Sequence, residues 1–163
     1  MIVSPSVSAI EETYTFSFRD YDEGWETDAG DMVDDDEHDY ASTTNEYDVQ
    51  YLKTGMSFGD EGDISKVELN VKAYWTGADA DIVLQPVFGG VAEGDLHPFS
   101  PLEGVSNASF SDWFDITKDT NAHSFWTWED VEDLCCRVMV DDHSSGFTLY
   151  CSIVQVRVTY EPN

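Results

Sequence analysis

Apolar and polar residues alternate along several stretches of this chain, and that period of two is the signature of half-buried β-strands. Residues 13–18 run Thr-Tyr-Thr-Phe-Ser-Phe, which puts Tyr14, Phe16 and Phe18 on one side. Tyr47, Val49 and Tyr51 alternate with Glu46, Asp48 and Gln50, predicting a second strand closed by Thr54-Gly55. The clearest strand is 64–75, where Val67, Leu69, Val71, Ala73 and Trp75 face one way and Lys66, Glu68, Asn70, Lys72 and Tyr74 the other. Its polar side carries Lys66 and Lys72, which predicts pairing with acidic groups. Residues 81–88 form another predicted strand, in which Pro86 marks an edge or a bulge. Residues 89–104 read as loop and 108–116 as a further strand. Residues 136–140 and 147–160 flank the polar turn 141–146 as a closing hairpin. Within it Leu149, Cys151 and Ile153 hold one parity while Val154, Val156, Val158 and Tyr160 hold the other, so a bulge is predicted near Ser152.

One segment has a helical pattern instead. Thr127 can accept from the amide of Asp130 while the Asp130 carboxylate reaches back, a capping box. Glu129 and Asp130 in the first turn suit the positive end of the helix dipole. Val131, Leu134 and Cys135 then fall at i, i+3 and i+4. Many short strands with one short helix near 128–135 predict an all-β fold, an antiparallel β-sandwich of jelly-roll-like topology. Neither a repeat nor a linker interrupts the pattern, so residues 1–163 are expected to form one domain with an acidic loop region at about 20–45.

Charge narrows the function. Thirty-four Asp and Glu stand against seven Lys and Arg, a formal net charge of −27. A nucleic-acid groove or an anionic membrane surface needs clustered cations, so neither is an expected partner. Disorder is also disfavoured, because aromatics make up 13% and apolar residues 41% of the chain. There is no stretch of about 20 apolar residues to span a membrane, and Met1 to Pro5 lack a signal peptide's basic and apolar regions, so a soluble protein not exported by that route is expected. The acids recur along the whole chain, which reads as a coat on a folded surface. Such a coat repels itself in dilute buffer, but the Debye length falls to about 3 Å at 1 M salt, which points to a halophilic setting. The rival is a calcium loop at Asp31 to Asp39, with Asp34, Asp35 and Asp36 as candidate ligands. That run lacks the glycine and the final glutamate of an EF-hand, and a solvated face is preferred, so no cofactor is expected.

Candidate chemistry is sparse. His38, His97, His123 and His143 fall in predicted loops, and no nucleophile, metalloprotease or phosphate-loop motif occurs, so the protein is not expected to be an enzyme. Cys135, Cys136, His143 and Cys151 lack the spacing of a zinc site and read as core cysteines. The aromatics are the better binding candidates: Trp25, Tyr40 and Trp113 could stack on sugar rings, with Trp25 the one expected to be exposed, while Trp75 and Trp128 are assigned to the core.

The C-terminal third adds a resemblance. Phe114-Asp115-Ile116-Thr117, then Trp126-Thr127-Trp128-Glu129-Asp130-Val131, Leu134 and the final run Ser152 to Tyr160 resemble a segment of small β-sandwich structural proteins of tailed viruses. Tyr40 to Thr43 and Val67 to Val71 are similar to the first strands of the same family. With the acidic coat, the resemblance implies a non-enzymatic virion protein of a halophilic archaeal tailed virus. Such a protein would decorate the head as turret or spike, or form part of the tail. Implied partners are other virion proteins and copies of itself, as a trimer or pentamer, assembled in the cytoplasm of a high-salt host. The matching residues Trp126, Thr127, Trp128, Asp130, Val131 and Leu134 read as a packing motif, a capped helix leading indoles onto the sheet. The alternative function is a carbohydrate-binding adhesion module recognising host surface glycans.

Overall fold

The computed structural model describes residues 7–19, 24–141 and 145–163. The alternating segments become two antiparallel sheets packed face to face. The first is ordered β1 (Ile10–Thr15), β12 (Phe147–Pro162), β5 (Gly62–Gly77) and β10 (Phe114–Asp115), with β3 (Ala41–Thr43) beside β12 and β9 (Ser109–Phe110) beside β5. The second is ordered β2 (Phe18–Arg19), β4 (Val49–Lys53), β11 (Cys135–Val140), β6 (Ile82–Phe88) and β7 (Ala92–Glu93), with β8 (His97–Phe99) also on β6. Early strands pair with late ones, β1 with β12, β4 with β11 and β5 with β10, around the β6–β7 pair that lies midway along the chain. That nesting is the predicted jelly roll.

The core is filled by the inward parity of both sheets. Val67, Leu69, Val71 and Ala73 on β5 and Leu149, Cys151, Val154, Val156 and Val158 on β12 meet Leu52, Ile82, Leu84, Cys136 and Val138, all fully buried. Each large aliphatic side chain so buried contributes roughly 1.5–3 kcal/mol. The parity switch on β12 occurs where predicted: Cys151 pairs with Ala73 but Ile153 with Lys72, so Ser152 is the extra residue of a bulge.

Several expectations are modified: the 89–104 loop carries β7 and β8, and the strand expected over 108–116 divides into β9 and β10. The strand at 13–18 divides, because the Phe16 amide bonds Val154 of the first sheet (3.0 Å) and the Ser17 amide bonds Lys53 of the second (3.2 Å). Phe16 is thus the buried corner where the chain changes sheets. On β4 the buried parity is Gln50 and Leu52, leaving Val49 and Tyr51 half-exposed. Gly24 makes room for Gln50, since a Cβ there would lie 1.7 Å from its Oε1. Tyr51 gains instead a cation–π contact with Arg137 on the outer surface, 5.5 Å from the ring centroid. The 20–45 region is more ordered than a loop: it contains a 3-10 turn at Ala29–Met32, with Met32 fully buried, and β3. Residues 20–23 of it, and 142–144 of the hairpin turn, lie outside the described residues. Finally, α1 spans Trp128–Glu132 and stops short of 135. Cys135 is already paired with Lys53 and Val87 in β11, so sheet pairing ends the helix.

Pro86 sits where β6 changes partners, opposite β8 up to Leu84 and β7 from Val87. Its carbonyl accepts from Gly94 (2.8 Å) on that side, so the missing amide proton falls in a break between two edge strands.

Candidate functional site

The capping box forms as predicted and anchors one end of the sandwich. The Thr127 Oγ1 accepts from the Asp130 amide (3.2 Å) and the Thr127 amide donates to Asp130 Oδ2 (2.8 Å). This orients the two flanking indoles: Trp126 Nε1 donates to the Thr117 carbonyl (3.2 Å) and Trp128 Nε1 to the Gly62 carbonyl (3.0 Å). Gly62, at φ 142°, is required there, because a Cβ would lie 2.0 Å from the carbonyl oxygen of Glu161. Trp128 is further packed between Phe58 (ring centroids 5.3 Å apart) and Tyr160 (5.0 Å), and Phe58 in turn meets Tyr14 (4.8 Å). The Phe58 amide is held by the Glu132 carboxylate. Burial and the Glu12 carboxylate push the Tyr14 hydroxyl well above its ordinary range.

Two clefts open on either side of Trp126. The larger, about 520 Å³, has Phe58, Trp126 and Trp128 as walls and the carboxylates of Asp60, Asp63, Glu129 and Glu132 around it, with neither Lys nor Arg in its lining. The smaller, about 350 Å³, is bordered by Thr117, Lys118, His123, Ser124 and Phe125. Phe125 is 89% exposed, the most exposed large apolar side chain described.

The residues singled out in the sequence for sugar stacking lie elsewhere. Trp25 is 4% exposed, not open to solvent as expected; the bridge between Thr27 and Ser42 (3.1 and 2.9 Å) draws its segment onto β3, and the indole joins the core with Ala29 and Met32. Tyr40 is half-buried, edge-on to Tyr74 at 4.9 Å, and Tyr74 stacks on Tyr150 at 4.4 Å. Burial raises the Tyr40 and Tyr74 hydroxyls above their ordinary value. Trp113 is half-buried too, with the Arg157 guanidinium 4.4 Å from its ring centroid. Tyr40 and Trp113 thus lie toward opposite ends of the outer face of the first sheet and do not converge. Trp75 is only partly buried, its Nε1 donating to the Pro101 carbonyl (2.9 Å), whereas Trp128, Val131 and Leu134 are core as predicted.

The three aspartates proposed for a cation are committed to local bonds. Asp34 Oδ1 accepts from the Asp36 amide (2.9 Å), Asp36 Oδ1 from the His38 amide (2.9 Å) and Asp35 Oδ1 from the Thr15 hydroxyl (2.8 Å). Among the described residues, no three His, Cys, Asp or Glu side chains are grouped to hold a metal. Cys135, Cys136 and Cys151 are buried free thiols, and burial pushes those of Cys136 and Cys151 far up, which keeps them protonated and unreactive. His143 lies outside the described residues. His97 Nε2 contacts Asp119 Oδ2 at 2.7 Å, but the same oxygen accepts from the Asp95 amide (3.3 Å), and Asp95 accepts from the Thr120 amide (3.1 Å). The cluster ties β8 to the 117–121 turn as a clasp.

Phe125 carried a signal that was readable. With Thr127 as the cap, Trp126 occupies the position whose side chain turns inward as a hydrophobic staple, so Phe125 one residue earlier turns out.

No protein-family model matches the sequence, and no curated protein does. Among solved structures, the chain is similar to the CBM36-1 domain of a multidomain xylanase from the hindgut metagenome of Trinervitermes trinervoides, at 8% identity and a TM-score of 0.44, over 90% of this chain and 96% of that one.

Proposed function

We propose that the protein is a non-catalytic glycan-binding module whose site is the pair of clefts beside Trp126. The observation that carries this reading is the combination of an exposed phenyl ring, Phe125, with two clefts edged by hydrogen-bonding side chains. A sugar ring presents a face of C–H groups and a rim of hydroxyls. The first suits an exposed aromatic face, and the second suits carboxylate acceptors and the hydroxyl of Ser124, that of Thr117 being held by the Val67 amide and carbonyl. Both volumes lie within the range of clefts that hold small ligands, about 300–1,000 Å³.

A glycan array probed in molar KCl tests the reading, with Phe125→Ala as control. Because Phe125 is almost wholly exposed, the variant should keep its melting temperature while losing roughly 5- to 30-fold in affinity, the equivalent of about 1–2 kcal/mol of aromatic contact. An array without signal sinks the proposal. The virion role implied by the C-terminal resemblance is compatible with it, since a head or tail subunit can carry a glycan site.

A further inference from the structure

The two clefts share one wall. Trp126 borders both, and along β5 the lining passes without a break from Gly62 and Asp63 in the larger to Ile64 and Ser65 in the smaller. The two clefts therefore adjoin beside the capped helix, and we treat them as halves of one ligand site. Trp126 is nearly buried and pinned through its Nε1, and its ring is held edge-on by Phe88 (5.7 Å) and His123 (5.4 Å), so it forms a fixed ridge between the halves. The stacking surface stands to one side of that ridge, at Phe125. A single sugar over Phe125 would leave the larger half empty.

The halves also differ in charge. The larger is bordered by Asp60, Asp63, Glu129 and Glu132 with no cation, whereas the smaller has Lys118 and His123 beside Asp119. Glu132 is occupied by the Phe58 amide and Asp60 Oδ1 lies 3.4 Å from the Asn163 amide nitrogen, so Asp63 and Glu129, both exposed, are the carboxylates most accessible to a ligand. A carboxylate or sulfate on the ligand in that half would meet like charge at contact distance, where salt screens least.

Resting on the glycan reading, we infer that the ligand is a linear oligosaccharide of two or more units laid across Trp126, stacked on Phe125 and carrying no acidic group on the unit that fills the larger half. Phe125 supplies the stacking contact, Trp126 sets the bend between units, and Asp63 and Glu129 accept hydroxyl or amide donors while excluding uronates.

The test is calorimetric titration of the full chain in molar KCl with one- to five-unit oligomers of neutral β-linked glucose and of N-acetylglucosamine, alongside oligogalacturonates. Affinity for at least one neutral series should rise tenfold or more from one unit to three or four, and Phe125→Ala should flatten that rise. Oligogalacturonates should bind at least tenfold more weakly, and Asp63→Asn with Glu129→Gln should narrow that gap. Both positions are exposed, so the double variant should melt like the parent. A monosaccharide binding as tightly as its tetramer, or a uronate chain binding as well as a neutral one, would overturn the inference while leaving a glycan site intact. No binding by any member of the series, together with a blank array, would overturn the underlying reading as well.

Discussion

Two regions of this acidic surface treat their carboxylates in opposite ways. On the outer face of the first sheet, Glu68 is only 3% exposed and lies between Lys66 (2.5 Å) and Arg157 (2.8 Å), with Trp113 covering the guanidinium. Lys72 reaches Glu37 nearby at 3.5 Å. Three of the seven cations thus occupy one face, each with a carboxylate partner. Elsewhere in the 28–39 segment, and in the larger cleft, carboxylates have mainly carboxylates as charged neighbours. Burial and the charges of Asp28, Asp34 and Asp39 all push the Asp31 carboxyl up. Acids on the first face are neutralised by neighbouring cations, whereas those of the second region are held by backbone amides and hydroxyls and left to solvent ions for charge balance.

Salt should break that balance most strongly. Lowering KCl from 3 M to 0.05 M lengthens the Debye length from about 3 Å or less to more than about 10 Å. Repulsion among the unpaired acids then reaches the fold, at an expected loss of ~5 kcal/mol or roughly 10–20 °C in melting temperature. Far-ultraviolet circular dichroism melts measure it. Hydrogen exchange should locate the first loss of protection in 28–39 and 58–63, ahead of β5 and β12. An unchanged melting temperature would refute a brine-adapted surface.

Arg157→Ala attacks the paired region directly. It leaves Glu68 buried with Lys66 alone and uncovers Trp113, and removing one partner of a buried pair costs about 3–5 kcal/mol. The lower figure is expected because Lys66 remains. Asp63→Asn in the unpaired region should change stability by less than about 0.5 kcal/mol. Urea titrations of both variants in molar KCl compare them, and equal effects would erase the distinction between the regions.

Thr127→Ala should cost about 1 kcal/mol, the usual value of a helix cap. Because the cap depends on short-range bonds at the cleft wall, its cost should be nearly the same in 3 M and 0.5 M KCl. A cost that doubles on dilution would show that the helix end is held by the wider charge field.

What the sequence made legible followed from local rules. Alternation located β5 and β12, the parity break located the bulge at Ser152, and the spacing of Thr127 and Asp130 located the cap. Tertiary context decided the rest. Trp25 sits in a polar, acidic stretch, and the pairing of Thr27 with Ser42 draws its segment toward the core. Gln50 is buried because Gly24, 26 positions earlier, leaves space for it. Helix α1 ends at Glu132 because Cys135 is claimed by two neighbouring strands. The candidate site follows the same division. Isolated aromatics at loop ends read as exposed, yet Trp25 is buried and Phe125 beside the cap is open, and the cleft next to Phe125 depends on β5 meeting a segment more than fifty residues away.

The smallest effect separates the two kinds of acid by sign. Burial pulls the Asp115 carboxyl up, but its bonds with Thr117 and the charges of Lys66 and Lys118 outweigh that and leave it below the ordinary value. Its stabilising contribution is complete above the unfolded value of about 3.9 and is lost as pH falls through the lowered folded one. Asp31 is raised, so its ionised form opposes folding at neutral pH, and that penalty disappears as pH falls through the raised value. Stability in molar salt should therefore rise slightly on acidification toward about pH 4 and fall below it. Asp31→Asn should raise stability at pH 7 and flatten the first arm; Asp115→Asn should lower it and flatten the second. Both side chains are partly open to solvent, so each change should stay under about 1 kcal/mol. Melting curves from pH 3 to 7 resolve the two arms, and changes of the same sign in both variants would show that these carboxylates share one environment.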